Sequence, residues 1–295
     1  MSPRPDLTGR VVAVTGAARG LGAELSRQLT ARGARVALLG LERDELAAVS
    51  AQCPGSQWWE VDVTDGAALA AVATDVVTAF GQVDDLVVNA GIGAGGSLLV
   101  AEPEAYDRVL EVNLLGSVRT VRAFLPHLVA SRGYVLQVAS LAALVPVPLM
   151  SAYCASKSGV EAFAHSLRGE TRHHGVGVGV AYLSWTDTDM VRGADATPGL
   201  GTFRSQLPGV FGRTYPLEPA VARIADGLAR RRRHVYAQPW LRALPAVRGA
   251  LPWITDVGSR DLPAQAEQAL LAAGPEATRP VGRGGSADTR AAAAQ

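Results

Sequence analysis

The chain has 295 residues, 48% of them apolar and 19% charged, with a formal net charge of +1. That balance describes a globular protein with ample core, and nothing in it suggests a nucleic-acid partner or a strongly anionic surface. No apolar run reaches the ~18 residues of a membrane span, and the polar N-terminal stretch carries no signal-peptide pattern. Two cysteines, Cys53 and Cys154, form neither a CxxC pair nor a disulfide framework, which points to a reducing, cytoplasmic setting.

In chain order, apolar runs alternate with helical patterns. Arg10–Thr15 reads as a buried strand, continuous in polarity as parallel strands tend to be. A glycine turn at Gly16–Gly22 follows, then a helix from about Leu21 to Ala31. Strands are expected at Val36–Leu39 and Gln57–Val61, with a helix at Glu42–Ala51 between them and another at Gly66–Phe80 after them. Asp85–Val88 is the fourth strand, ended by the Asn89–Gly91 turn. A long helical region covers Glu104–Ser131, breaking around Gly116. Tyr134–Ala139 is a strand, Ala152–His174 a long helix, and Val176–Leu183 a sixth strand whose interleaved glycines predict close packing against a helix or a cofactor. This rhythm predicts an α/β fold, a doubly wound parallel sheet between two helical layers.

The rhythm breaks after the sixth strand. Residues 184–215 lack periodicity and read as a functional loop. A helix resumes at Glu218–Arg232, His234–Ala237 could close the sheet, and Trp240–Ile254 reads as an amphipathic helix or a cover over a pocket. Residues 1–255 are expected to form one domain, 256–273 a helical extension, and 274–295, rich in Gly, Ala and Arg, a disordered tail.

Two features carry chemistry. Gly16, Gly20 and Gly22 lie between a strand and a helix start, where glycines let the backbone approach a pyrophosphate and the helix N-terminus favours its charge. The G-x-x-x-G-x-G spacing also fits a glycine turn with no ligand. The second feature is Tyr153 and Lys157, one helical turn apart and so on one face. An ammonium beside a phenol favours the phenolate, which gives a group able to give and take a proton. Lys157 is the only lysine among 28 Lys and Arg residues. The chain's two asparagines are Asn89 and Asn113.

Together the stretch TGAARGLG, the Asn89-Ala90-Gly91 turn, Asn113, Ser140 and the Tyr153/Lys157 pair resemble the short-chain dehydrogenase/reductase family, over about residues 8 to 240. The resemblance implies a single Rossmann-like domain that moves a hydride between a nicotinamide cofactor and an alcohol or ketone. Tyr153 would be the general acid or base. Lys157 would lower its pKa and hold the nicotinamide ribose, Ser140 would donate to the substrate oxygen, and Asn113 would fix a water that relays protons to Lys157. Cofactor contacts would come from Gly16, Arg19, Gly20, Leu21 and Gly22 in the turn, and from Gly40 and Leu41 after strand two. Asp62 and Val63 would meet the adenine, Asn89, Ala90 and Gly91 the adenosine ribose, and Thr188 the carboxamide. Gly40 removes the carboxylate that would repel a 2′-phosphate and Arg19 could supply charge, so NADP(H) is favoured over NAD(H), although Glu42 could turn toward the ribose. Leu183-Ser184 stands where the family usually has Pro-Gly, and Val88 where it has Asn.

The apolar run between Ser140 and Tyr153 suggests a hydrophobic secondary alcohol or ketone, held by Leu141, Val147, Met150, Trp185 and Met190, with Leu98, Leu99, Phe203 and Phe211 as further candidates. No metal site is expected, since His173-His174 has no third ligand nearby. The resemblance also implies a homodimer or homotetramer. A non-catalytic dinucleotide sensor, or an epimerase or dehydratase on the same scaffold, stays open on the sequence alone.

Overall fold

The structure, a computed structural model, describes residues 5–258 and 262–293. Its strands are β1 (Val11–Thr15), β2 (Arg35–Gly40), β3 (Gln57–Glu60), β4 (Asp85–Val88), β5 (Tyr134–Val138), β6 (Gly177–Tyr182) and β7 (His234–Tyr236). They form one seven-stranded sheet in the order β3-β2-β1-β4-β5-β6-β7. Every pairing is parallel, with Val12 opposite Val36 on one side and Asp85 on the other. All five residues of β1, all four of β4 and all five of β5 are buried, which explains why these strands read as unbroken apolar runs.

The helices are α1 (Gly20–Thr30), α2 (Arg43–Ala51), α3 (Gly66–Phe80), α4 (Pro103–Leu110), α5 (Gly116–Ser131), α6 (Ser151–Thr171), α7 (Asp189–Ala196), α8 (Leu200–Ser205), α9 (Leu217–Ala229), α10 (Leu244–Val247), α11 (Leu251–Gly258), α12 (Leu262–Ala273) and α13 (Gly282–Ala293). Side chains of a strand alternate between the two sheet faces. Val11 and Ala13 pack with Leu69 of α3, Phe124 of α5 and Leu167 of α6. Val12 and Val14 pack with Leu25 of α1, Leu46 of α2 and Ile224 of α9. The three layers follow from that alternation. Strand order reverses between β1 and β4, and beyond their carboxyl ends such a sheet leaves a crevice.

Several expectations are corrected. Residues 184–215 are not structureless: they hold α7, α8 and a short 3₁₀ turn, Gly209–Phe211. Their ends are tied where the Asp187 N–H donates to the Tyr215 carbonyl at 2.9 Å and the Tyr215 N–H to the Trp185 carbonyl at 2.8 Å. The segment read as a disordered tail contains α13, in which Gly285, Ala287 and Asp288 are buried. Trp240–Ile254 is no single helix but a run of short turns around α10, leading into α11. The glycines of β6 face neither helix nor cofactor. They make room for Tyr134 of β5: a Cβ on Gly177 would lie 3.0 Å from its ring, and one on Gly179 2.0 Å from its hydroxyl. That hydroxyl donates to the Arg232 carbonyl at 2.6 Å.

Candidate active site

The crevice begins at the glycine turn. Gly16 and Gly20 have φ of +63° and +51°, which L side chains rarely adopt. A Cβ on Gly22 would stand 2.1 Å from the Gly16 carbonyl oxygen, and one on Gly16 2.9 Å from Cα of Ala90. The turn therefore lies directly on the chain that leaves β4. Asn89 fastens that contact: its Nδ2 donates to the Thr15 and Gly16 carbonyls at 2.9 and 3.1 Å. Arg19, in extended conformation, enters α1 without a side-chain cap, so the first-turn N–H groups stay available to an anion.

Of the cofactor residues expected from sequence, all but Gly22 line one cleft of about 240 Å³. Gly22 shapes it through the backbone contact just described. The residues present fit a dinucleotide in outline, because glycine backbone lines the cleft at Gly16, Gly20 and Gly91 beside the N-terminus of α1, which favours a pyrophosphate. Asp62 lines the cleft, where its carboxylate accepts from Thr64 and from Nη2 of Arg108 at 3.1 Å. Burial works against that carboxylate, but these bonds hold its pKa below the usual value. Thr188 caps α7 by accepting from the Val191 N–H at 3.4 Å. Gly40 and Leu41 stand at the rim beside Arg19, which is shared by Glu42 at 2.9 Å and Glu45 at 3.1 Å.

Ser140, Tyr153 and Lys157 meet at the inner end of this cleft. Ser140 follows β5 and caps a short turn, Leu141–Ala143, through a 3.2 Å bond from the Ala142 N–H. Lys157 Nζ lies 5.8 Å from the Tyr153 ring centre and donates to the Val138 carbonyl at 3.0 Å. Burial pushes the Tyr153 phenol up to about 12, against the lowering effect of its hydrogen bond with Ser140. Burial also pushes the Lys157 ammonium down to about 8, so it is still mostly protonated at neutral pH. Asn113 sits in a wide π-helical turn, Glu111–Leu115, between α4 and α5. Such turns insert a residue and re-aim a side chain, frequently at functional sites. Its Oδ1 accepts from the Ile92 N–H at 2.8 Å, while Nδ2 donates to the Ile92 carbonyl at 2.9 Å and to Ser156 Oγ at 3.1 Å. The side chain thereby ties the turn after β4 to the residue preceding Lys157.

A second cavity, of about 270 Å³, adjoins the first, and Ser140 and Tyr153 line both. Its walls include Leu141, Val147, Met150, Trp185, Met190, Phe203 and Phe211. Leu98 and Leu99 are corrected: they are 73% and 83% exposed and lie outside the cavity. Their place on a surface turn gives no periodicity from which to read a facing direction. Among the described residues no cluster of His, Cys, Asp or Glu could hold a metal ion.

The sequence reading missed Arg108 and the C-terminal residues Val281, Gly284, Gly285 and Asp288, all of which except Arg108 line the cofactor cleft. The Ala-rich stretch after Ser286 was the available helix signal, outweighed there by the glycines before it.

Residues 10–199 match the short chain dehydrogenase family. A similar protein is "Dehydrogenase/reductase SDR family member 7B" of Bos taurus, 34% identical over 200 residues, covering 64% of this chain and 62% of that one. The chain thus spans less than two thirds of that relative's length. A metagenomic short-chain oxidoreductase, solved in complex with NADP, is 38% identical with a TM-score of 0.57 and covers 60% of this chain and 82% of its own. The crystal structure of gox2181 shares the fold, with a TM-score of 0.71 at 24% identity, over 79% of this chain and 96% of that one.

Proposed function

The chain belongs to the short-chain dehydrogenase family, and from that premise we propose that it transfers a hydride between a nicotinamide dinucleotide and a hydrophobic secondary alcohol or ketone. One observation carries the reading: Ser140 and Tyr153 stand where a glycine-lined cleft opens into an apolar cavity. When bound, the dinucleotide supplies the hydride chemistry. Tyr153 gives its phenolic proton to the substrate oxygen in reduction and removes it in oxidation. Ser140 donates to the same oxygen and stabilises the charge that develops there. Lys157 provides a fixed cation beside the phenol, which favours the phenolate. Asn113, through Ile92 and Ser156, holds the cleft wall against the Lys157 helix; the proton-relay water implied by the resemblance would sit beside it.

The test is consumption of reduced cofactor at 340 nm with a panel of ketones, and its formation with alcohols. Tyr153→Phe is expected to lower kcat by about 10³-fold with an unchanged thermal transition. Undiminished turnover in that variant would refute the mechanism, and cofactor binding without any turnover would favour a sensor. A reaction that leaves no net change in cofactor would favour an epimerase or dehydratase.

Preference for NADP(H) is part of the proposal. Gly40 presents no carboxylate at the end of β2, and Arg19 lies on the cleft rim, although a 2′-phosphate would compete there with Glu42 and Glu45. A Cβ at Gly40 meets nothing closer than Leu46 at 3.5 Å, so Gly40→Asp should fold and shift kcat/KM toward NAD(H). Equal kcat/KM for both cofactors in the native protein would remove the preference. We also propose a homodimer or homotetramer formed through α4, α5 and α6 in a reducing cytoplasm, where Cys53 and Cys154 remain free thiols. Light scattering that gives the mass of one chain would count against the assembly.

A further inference from the structure

Gly282, Gly284 and Gly285 open α13, a poor start for a helix by propensity. The structure shows what their missing side chains permit. A Cβ on Gly193 of α7 would stand 2.5 Å from the Gly282 nitrogen, and one on Gly282 would stand 2.7 Å from the Asp189 carbonyl oxygen. Backbone therefore lies on backbone where the C-terminal segment crosses α7. One residue earlier, the Val281 N–H donates at 2.7 Å to the carbonyl of Gly93, in the loop after β4. The segment thus bridges the two lips of the cleft, one following β4 and the other following β6.

Its far end is held by charge. Asp288 is 2% exposed, and its carboxylate receives Nε and Nη2 of Arg108 at 3.0 and 2.8 Å. The same Nη2 donates to Asp62 at 3.1 Å, so one guanidinium joins the wall of the cleft to the segment lying over it. An open surface pair would hold little. This one is enclosed and two-pronged, and parting it leaves a buried charge without its partner. Between the two anchors, Gly284 and Gly285 line the cofactor cleft, while Val281 lines both cavities beside Ser140 and Tyr153.

We propose that residues 280–288 are a strap across the bound dinucleotide, latched by Asp288 on Arg108, which lifts for the cofactor to enter and retains it once closed. Val281, at the start of the strap, bounds the space where substrate meets Tyr153. The proposal rests on the reading of the cleft as a dinucleotide site, and its test separates the two. Hydrogen exchange is measured on the full chain with and without NADPH or NADH, alongside binding and release of the same cofactors followed by their fluorescence. Bound cofactor is expected to slow amide exchange across 282–293. Asp288→Asn is expected to speed release about tenfold and to lower the thermal transition, since Arg108 loses one of its two carboxylate partners. Cofactor that binds without slowing exchange there, or that leaves Asp288→Asn at the native rate, overturns the strap and keeps the dinucleotide site. Failure of both cofactors to bind the native chain overturns the two together. The exchange measurement needs no variant, so it decides the matter even if Asp288→Asn folds poorly.

Discussion

The floor of the cleft and its cover are held by different means. From the end of β1 to the end of β4 the floor is main chain against main chain, with Gly22 on the Gly16 carbonyl, Gly16 on Ala90, and Asn89 stitching the two. The cover, from Ser184 onward, touches main chain to main chain at Gly193 and Gly282. Main-chain hydrogen bonds tie its ends, from Val281 to Gly93 and between Tyr215 and both Trp185 and Asp187, but charged side chains also reach across it: Arg204 to Asp195 and Thr214, and Arg108 to Asp288. A packed backbone contact has no second arrangement of similar energy, whereas an ion pair can exchange its partner for water. The floor should therefore keep its shape through a catalytic cycle while the cover opens and closes.

The contrast can be broken most severely at Gly22. Gly22→Ala puts a methyl 2.1 Å from the Gly16 carbonyl, and backbone must move to admit it. A loss of about 3 kcal/mol in urea unfolding is expected; native-like stability would mean that the floor yields as readily as the cover. Lys157, buried between the two regions, should give a smaller effect of opposite sign. Its pKa is about 8 in the folded chain against 10.5 for the free side chain, so the unfolded chain binds the extra proton between those values and stability rises with pH there. Below about 8 the cost of burying the ammonium is fully present. Lys157→Met, which removes that cost but leaves the Val138 carbonyl without its donor, should gain about 1–2 kcal/mol at pH 7. The gain should fade by pH 10.5, and activity should be lost throughout. A gain independent of pH would show that packing, not charge, was responsible. The smallest effect belongs to the cover. In Gly284→Ala the new Cβ comes no closer than 3.8 Å to Arg19, and alanine suits a helix better, so a gain of about 0.5 kcal/mol is expected in the cofactor-free chain. A loss comparable to that at Gly22 would erase the distinction between the regions.

The same contrast explains what could be read from the sequence. The floor was legible because its determinants are local: apolar runs for the strands, glycines at fixed spacing, and rare residues such as Asn113 and Lys157 at the site. The cover was not. Arg108 and Asp288 are 180 residues apart, and no local pattern announces their meeting. Glycines at 282, 284 and 285 weigh toward disorder by composition, yet in the structure Gly282 permits the close crossing at α7. The glycines of β6 were noticed for the right property, close approach, but were given the wrong partner. A bulky residue on the adjacent strand leaves no trace in the spacing of the glycines it covers.

That last pairing bears on how the sequence can vary over time. With the Tyr134 hydroxyl where a Gly179 Cβ would be, neither position can drift alone. A larger residue at 179 becomes viable only after 134 has shrunk, and a shrunken 134 leaves a void in the sheet until 179 grows. In libraries that randomise both sites, survivors should therefore show compensated pairs, making this side of the sheet a place where two distant codons are inherited as one trait.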